Sequence, residues 1–293
     1  MNRSNLNKIH VMVAILTFRR PGSLRECLDS VQACIRPEGV EVEIVVGNND
    51  PDFHFVGEGN VFETIHIGLG RVSPARQHLL EFARAKSADY LIFVDDDEIV
   101  SDRWLYEMIN AAIKYTGVAV AGPVLPIGVP DRLMPLYTRE RRKTGSSIEA
   151  VGAGNLLLDI AATRHLDFDT DWILPVGEDT DFTLRLSGAG LQIVWCDEAI
   201  AYEPVAASRI RTRWLFRRYF NNGRALAQSP GFPRLRGLDV LVRLLAGGAI
   251  LLTSPLGILF PTWMRFILDN GVRNMGLLYE SMFGVNNRAA GNS

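Results

Sequence analysis

The chain has 293 residues, 47% of them hydrophobic and 22% charged, a composition ordinary for a globular protein with a sizeable core. The formal net charge of −2 conceals an asymmetry: residues 1–204 carry an excess of 11 acids, whereas residues 205–293 hold 12 arginines against 3 acids. An acidic main region without aromatic-interleaved basic strands excludes nucleic acid as a partner, and a basic tail suits phosphate or an anionic membrane surface.

In chain order, His10–Leu16 reads as a buried strand, followed by the turn Thr17–Gly22. A helix is predicted from about Ser23 to Ile35, with Leu24, Cys27, Leu28, Val31 and Ile35 at helical spacing. Val42–Val46 and Phe62–Ile67 read as strands, and Pro74 opens a helix to about Lys86. Tyr90–Val94 is a strand apolar on both faces. A helix over 102–115 and a strand over 118–124 follow. Residues 126–147 have no clear period, and Ala150–Leu158 returns to the sheet. A helix over 177–187, strands over 191–195 and 199–202, and an Arg-rich helix over 209–227 complete the main region. Strands alternating with helices predict an α/β fold with a mostly parallel sheet flanked by helices. The segment Ser229–Pro233 marks a boundary, giving a catalytic domain over 1–228 and a helical, basic and apolar tail over 229–293.

Cys27, Cys34 and Cys196 lack metal-ligand spacing, and their odd count predicts a reducing compartment. The N-terminus shows no signal peptide, so the expected location is cytoplasmic. Leu244–Met264 holds no formal charge and is flanked by Arg243 and Arg265, but Gly247, Gly248, Pro255 and Gly257 interrupt it. A hairpin in the membrane interface, a single span and a core helix pair all remain open; Trp263 and the flanking arginines fit the interface best.

Two acidic clusters carry the chemistry. The Tyr90 strand ends in Asp95-Asp96-Asp97-Glu98, at the sheet edge where ligands of open α/β folds bind. Like charges at ~5 Å and an effective dielectric of ~20 cost roughly 3 kcal/mol per pair. A divalent cation relieves that repulsion, and hard carboxylate oxygens suit Mg²⁺ or Mn²⁺. Alternatively, the run is a solvated loop. The second cluster, Gly177-Glu-Asp-Thr-Asp181, opens a helix and reads either as an N-cap with dipole partners or as a general base aimed at the cleft.

Five motifs stand in order: Ala14–Pro21, Asn48–Pro51, Ala75-Arg76, Asp95–Asp97 and Gly177–Phe182. With Arg213-Trp214, they resemble the inverting glycosyltransferases of family 2, which have the GT-A fold and use nucleotide-sugar donors, over about residues 9–225. The stretches around Gly177 and the Arg-rich helix are similar to bacterial exopolysaccharide enzymes of the succinoglycan glucosyltransferase type.

The resemblance implies roles. Thr17, Arg19, Asn48 and Asp50 would cradle the nucleotide, although the family commonly has aspartate where Asn48 stands. Arg76, Asp95, Asp96 and Gly154 would contact the nucleotide sugar, and Arg213 its diphosphate. Asp97 would hold the metal, with Glu203 in place of a histidine found in many relatives. Asp179 would be the catalytic base with Glu178 beside it, and Asn155 and Trp214 would meet the acceptor. Ile210 stands where processive synthases carry glutamine, which argues against a processive polymerase. The implied donor is a UDP-sugar, and the implied acceptor a polyprenyl-diphosphate-linked saccharide at the cytoplasmic face of the inner membrane. The rival readings are a nucleotidyltransferase acting on sugar phosphates and a non-catalytic nucleotide-sugar-binding scaffold. A P-loop ATPase is excluded because the chain contains no Gly-x-x-x-x-Gly-Lys-Ser/Thr.

Overall fold

A computed structural model describes residues 8–52, 62–115, 119–229 and 261–283. The chain forms two compact units. The first comprises the described residues up to Ile127 with Arg139–Ile173 and Glu178–Pro204. Gly128–Thr138, Leu174–Gly177 and the described residues from Val205 onward form the second. Most of the uncharged 244–264 stretch lies outside the described residues. Among those described, no helix is long and apolar enough to cross a membrane.

The first unit is built on β1 (Ile9–Thr17), β2 (Val40–Asn48), β3 (Glu63–His66), β4 (Tyr90–Asp95), β6 (Ala119–Ala121), β8 (Ser147–Ile148), β9 (Asn155–Asp159) and β10 (Ile193–Trp195). They pair in the order β3-β2-β1-β4-β9-β6-β10-β8. β3 through β4 are parallel, β9 runs antiparallel to both its neighbours, β10 is parallel to β6, and β8 closes the edge antiparallel. The mixed α/β architecture with a mostly parallel sheet agrees with the sequence.

The continuous apolar runs of β1 and β4 follow from burial on both faces, because side chains alternate along a strand. Val11, Val13 and Ile15 enter one core with Ile92, Val94, the buried face of α1 (Pro21–Ala33) and α3 (Trp104–Tyr115). Met12 and Ala14 enter the other with Leu91, Phe93, α2 (Val72–Ala85) and α4 (Glu178–Gly188). Helices thus cover both faces. In α1, Leu24, Cys27, Leu28 and Val31 are buried as read from the sequence, but the helix stops at Ala33 and Ile35, expected on the same stripe, is exposed beyond it. Each fully buried leucine stabilises the fold by roughly 1.5–3 kcal/mol.

Two predicted strands differ from the structure. The single strand expected up to Val124 is divided into β6 and β7 (Val124–Ile127), which belong to different sheets. Between them Gly122 lies so close to the Ala199 carbonyl that a Cβ would collide with it. The strand expected from Ala150 begins only at Asn155, leaving 150–154 as an irregular shelf. β7 joins β5 (Ile99–Val100) and β11 (Ala201–Pro204) in a three-stranded sheet of order β5-β11-β7.

The second unit holds α5 (Thr212–Gln228), α6 (Pro261–Ile267), a π-helical turn over Leu268–Val272 and α7 (Arg273–Phe283). Its core joins Leu136, Leu215, Met264, Leu268 and Val272. α5 and α7 cross at Gly223 and Gly276, where a Cβ on either would enter the other's backbone.

Candidate active site

Strand direction assembles the site. β1, β2 and β4 run parallel, so Thr17 lies opposite Asn48 and Leu16 opposite Asp95 at one carboxyl edge. β9 runs the other way, with Asn155 opposite Val94, so the shelf ahead of it arrives at the same edge. A turn closed by Glu98 N–H donating to the Asp95 carbonyl gathers the four acids there.

Arg76, on α2, joins the two acidic clusters. Its Nη2 donates to Asp95 Oδ1 at 3.0 Å, its Nη1 donates to Glu178 Oε1, and Asp179 Oδ2 lies 3.6 Å from that same nitrogen. The acids of β4 and α4 therefore converge on one guanidinium. Arg76 is only 6% exposed, with both terminal nitrogens held by acids. In this arrangement Arg76 braces the carboxylates of both clusters.

The two acids at the start of α4 differ in setting. Glu178 is 5% exposed. Burial first, then the charge of Asp179, raises its pKa to about 7 against the opposing pull of Arg76. Asp179 keeps 20% of its side chain exposed. Its Oδ2 accepts from the Ala153 N–H at 3.0 Å and its Oδ1 from the Thr180 N–H at 2.6 Å. It is thus both oriented and open to solvent, as a general base requires.

The shelf depends on absent side chains. A Cβ on Gly154 would lie 2.5 Å from Glu98 Oε1 and 2.9 Å from Asp95 Oδ2, and one on Gly152 would lie 3.1 Å from Asp179 Oδ2. Asn155 is 1% exposed; it accepts from Trp104 Nε1 and donates to the carbonyls of Pro123 and Ala199. With its amide so engaged, Asn155 anchors the shelf.

On the β1 and β2 side, Thr17 donates to Asp96 Oδ2 at 2.7 Å, and Arg19 makes a forked pair with Asp50 at 2.7 and 2.9 Å. Asn48 Oδ1 accepts from the Asp50 N–H, and both residues are buried. Arg213 and Trp214 lie on α5 in the second unit. Arg213 is exposed, and Trp214 packs against the core there with the Arg218 guanidinium 5.1 Å from its ring.

Three residues escaped sequence reasoning. Asn49 accepts from the N–H groups of Leu69 and Gly70 and donates to the Arg71 carbonyl, shaping the turn ahead of α2. Arg20 pairs with Asp96 and Asp97. Glu98, visible only as the fourth acid of the run, is buried, and its Oε2 has no hydrogen-bond partner. Burial, with the charges of Asp95, Glu203 and Asp97, holds its carboxyl well above the ordinary range against Arg139. An orphaned buried oxygen amid hard carboxylate donors fits a divalent cation. Among the described residues no three such groups are already drawn into a ligand set.

The family model "Glycosyl transferase family 2" matches residues 12–169. The succinoglycan biosynthesis protein ExoM of Rhizobium meliloti (strain 1021) is 30% identical, the match covering 73% of each chain. Among solved structures, the mannosyltransferase PcManGT of Pyrobaculum calidifontis, in complex with GDP-Man and Mn²⁺, is similar at a TM-score of 0.61. That match has 14% identity and covers 93% of this chain and 87% of the other. S. aureus TarS 1-349 in complex with UDP-GlcNAc is similar at a TM-score of 0.52, with 13% identity and coverage of 93% and 91%. These structural likenesses establish the GT-A fold.

Proposed function

The chain belongs to glycosyl transferase family 2, and from that premise we propose that it transfers a hexose, with inversion, from a UDP-sugar to a lipid-linked saccharide in exopolysaccharide assembly. The observation that carries the site assignment is Arg76, with Asp95 on one arm and Glu178 and Asp179 at the other.

Asp179 takes the proton from the acceptor hydroxyl, whose oxygen attacks the anomeric carbon. As the new C–O bond forms, the bond to the diphosphate breaks, and the nucleoside diphosphate leaves with the electron pair. The Ala153 N–H fixes the attacking geometry by holding Asp179 Oδ2. Glu178 and Arg76 keep Asp179 in place. Asp97, with Glu203 and Glu98 nearby, would hold Mg²⁺ or Mn²⁺, which supplies positive charge where the leaving group develops negative charge. Asn48, Asp50 and Arg19 form the nucleotide side of the cleft, and the glycine shelf admits the sugar.

The second unit is read as the membrane-facing part. Trp263 and Phe266 stack on each other on α6, and Met275, Tyr279, Met282 and Phe283 are exposed on α7. Such a surface in the strongly basic region 205–293 suits the interface of an anionic bilayer.

The test is product analysis with UDP-glucose, Mn²⁺ and a polyprenyl-diphosphate saccharide. Release of UDP with a β-linked product from the α-linked donor is expected. Retention of configuration, or diphosphate release from UTP and a sugar phosphate without glycosyl transfer, would overturn the reading.

A further inference from the structure

The acid run at the end of β4 is held by a cation that the chain itself supplies. Arg20 Nη1 lies 3.0 Å from Asp96 Oδ1 and 2.9 Å from Asp97 Oδ2, so one nitrogen serves two adjacent carboxylates. The side chain remains 45% exposed, whereas those of Asp96 and Asp97 are largely enclosed. The backbone explains the placement. Arg19 has φ of 58°, in the left-handed region that a non-glycine residue rarely adopts, and Arg20 stands immediately before α1. That turn sends two successive guanidinium groups to different acids, Arg19 to Asp50 and Arg20 to Asp96 and Asp97.

A guanidinium bridging neighbouring carboxylates relieves the same repulsion that a divalent cation would relieve. We propose that Arg20 is the internal counter-ion of this site, competing with the divalent cation for Asp97 and releasing it when the diphosphate of the donor offers the guanidinium another anion. The inference rests on the nucleotide-sugar reading above and adds an order of binding. The metal alone binds weakly, and nucleotide and metal enter together. Arg20 acts as a positioning residue: it neither accepts the proton nor meets the anomeric carbon. An arginine that is 45% exposed can change partners without unfolding the turn, whereas the buried Arg76 cannot.

The test titrates Mn²⁺ alone, then Mn²⁺ with UDP, into the full chain, with free Mn²⁺ followed by electron paramagnetic resonance. Arg20→Ala is expected to bind Mn²⁺ alone about 5-fold or more tightly than the unaltered chain, the scale of a typical coupling between sites. UDP should then add less to Mn²⁺ affinity in the variant than in the unaltered chain. Arg20→Lys, which keeps a competing charge, should fall near the unaltered chain and controls for any loosening of the turn. Equal or weaker Mn²⁺ binding by Arg20→Ala, with normal binding when UDP is present, overturns the inference alone. If no Mn²⁺ binds to either protein even with UDP, the metal-assisted donor reading falls and this inference with it.

Discussion

The two units differ in how much charge they enclose. In the first, carboxylates are gathered at a sheet edge and enclosed, with Arg76 and Glu178 both buried and Glu98 lacking a partner for one oxygen. In the second, Arg211, Arg213 and Arg217 are exposed among the described residues, and so are the apolar side chains of Trp263, Phe266, Tyr279 and Phe283. Enclosed charge concentrates electrostatic force on a bound ligand but burdens the fold. Exposed apolar surface costs the fold little and remains available to another surface. Substitutions in the first unit should therefore disturb stability and chemistry together, whereas those on the exposed face of the second should separate stability from binding.

The largest expected effect is on Arg76. Arg76→Met leaves Asp95, Glu178 and Asp179 without their shared counter-charge and should destabilise the protein by about 3–5 kcal/mol in urea unfolding. Adding Glu178→Leu should recover a substantial part, because the pair is then replaced by apolar groups. A double variant as unstable as the single one would break the distinction between an enclosed pair and a merely adjacent one. Next comes Gly154→Ala, whose Cβ would press on the Glu98 and Asp95 carboxylates. A stability loss of about 1–3 kcal/mol should accompany a loss of metal-dependent donor binding, both readable by thermal shift with UDP and Mn²⁺.

Acidity sharpens the comparison further. Glu178 is raised to about 7, chiefly by burial, and Glu98 is raised well above its ordinary value for the same reason. An acid whose folded-state pKa exceeds its unfolded value binds more protons when folded, so its stabilising contribution is complete below the unfolded pKa and is lost as pH rises through the folded one. Metal-free protein should therefore lose stability between about pH 4.5 and 7, by up to ~3 kcal/mol from Glu178. Glu178→Gln should flatten that slope, and a slope unchanged in the variant would remove Glu178 as its source. The smallest effect on stability belongs to the second unit. Trp263→Ser with Phe283→Ser should shift unfolding by only about 0.5 kcal/mol per site, yet weaken flotation with phosphatidylglycerol vesicles. Undiminished vesicle binding would remove that face from the membrane reading.

The sequence revealed the acids more readily than their supports. The strands of the parallel half were legible because burial on both faces leaves unbroken apolar runs, as in Val11–Ile15 and Leu91–Val94. The DDDE run and the Glu178-Asp179 pair were legible because dense charge at an element's end is unusual. The division between β6 and β7 was hidden, since it depends on Gly122 meeting the Ala199 backbone, a contact remote in sequence. An acceptor contact at Asn155 was implied by the family resemblance alone; its three internal hydrogen bonds become evident only when β9 is set beside its neighbours. Arg20 left no periodic signal at all, and its partners lie 76 and 77 residues away.

The most direct measurement is glycosyl transfer by Asp179→Asn beside its affinity for the UDP-sugar. The geometry predicts transfer reduced by at least ~10²-fold, with donor affinity within about twofold of the unaltered chain. Transfer near the normal rate would show that the acid at the start of α4 does not take the acceptor's proton.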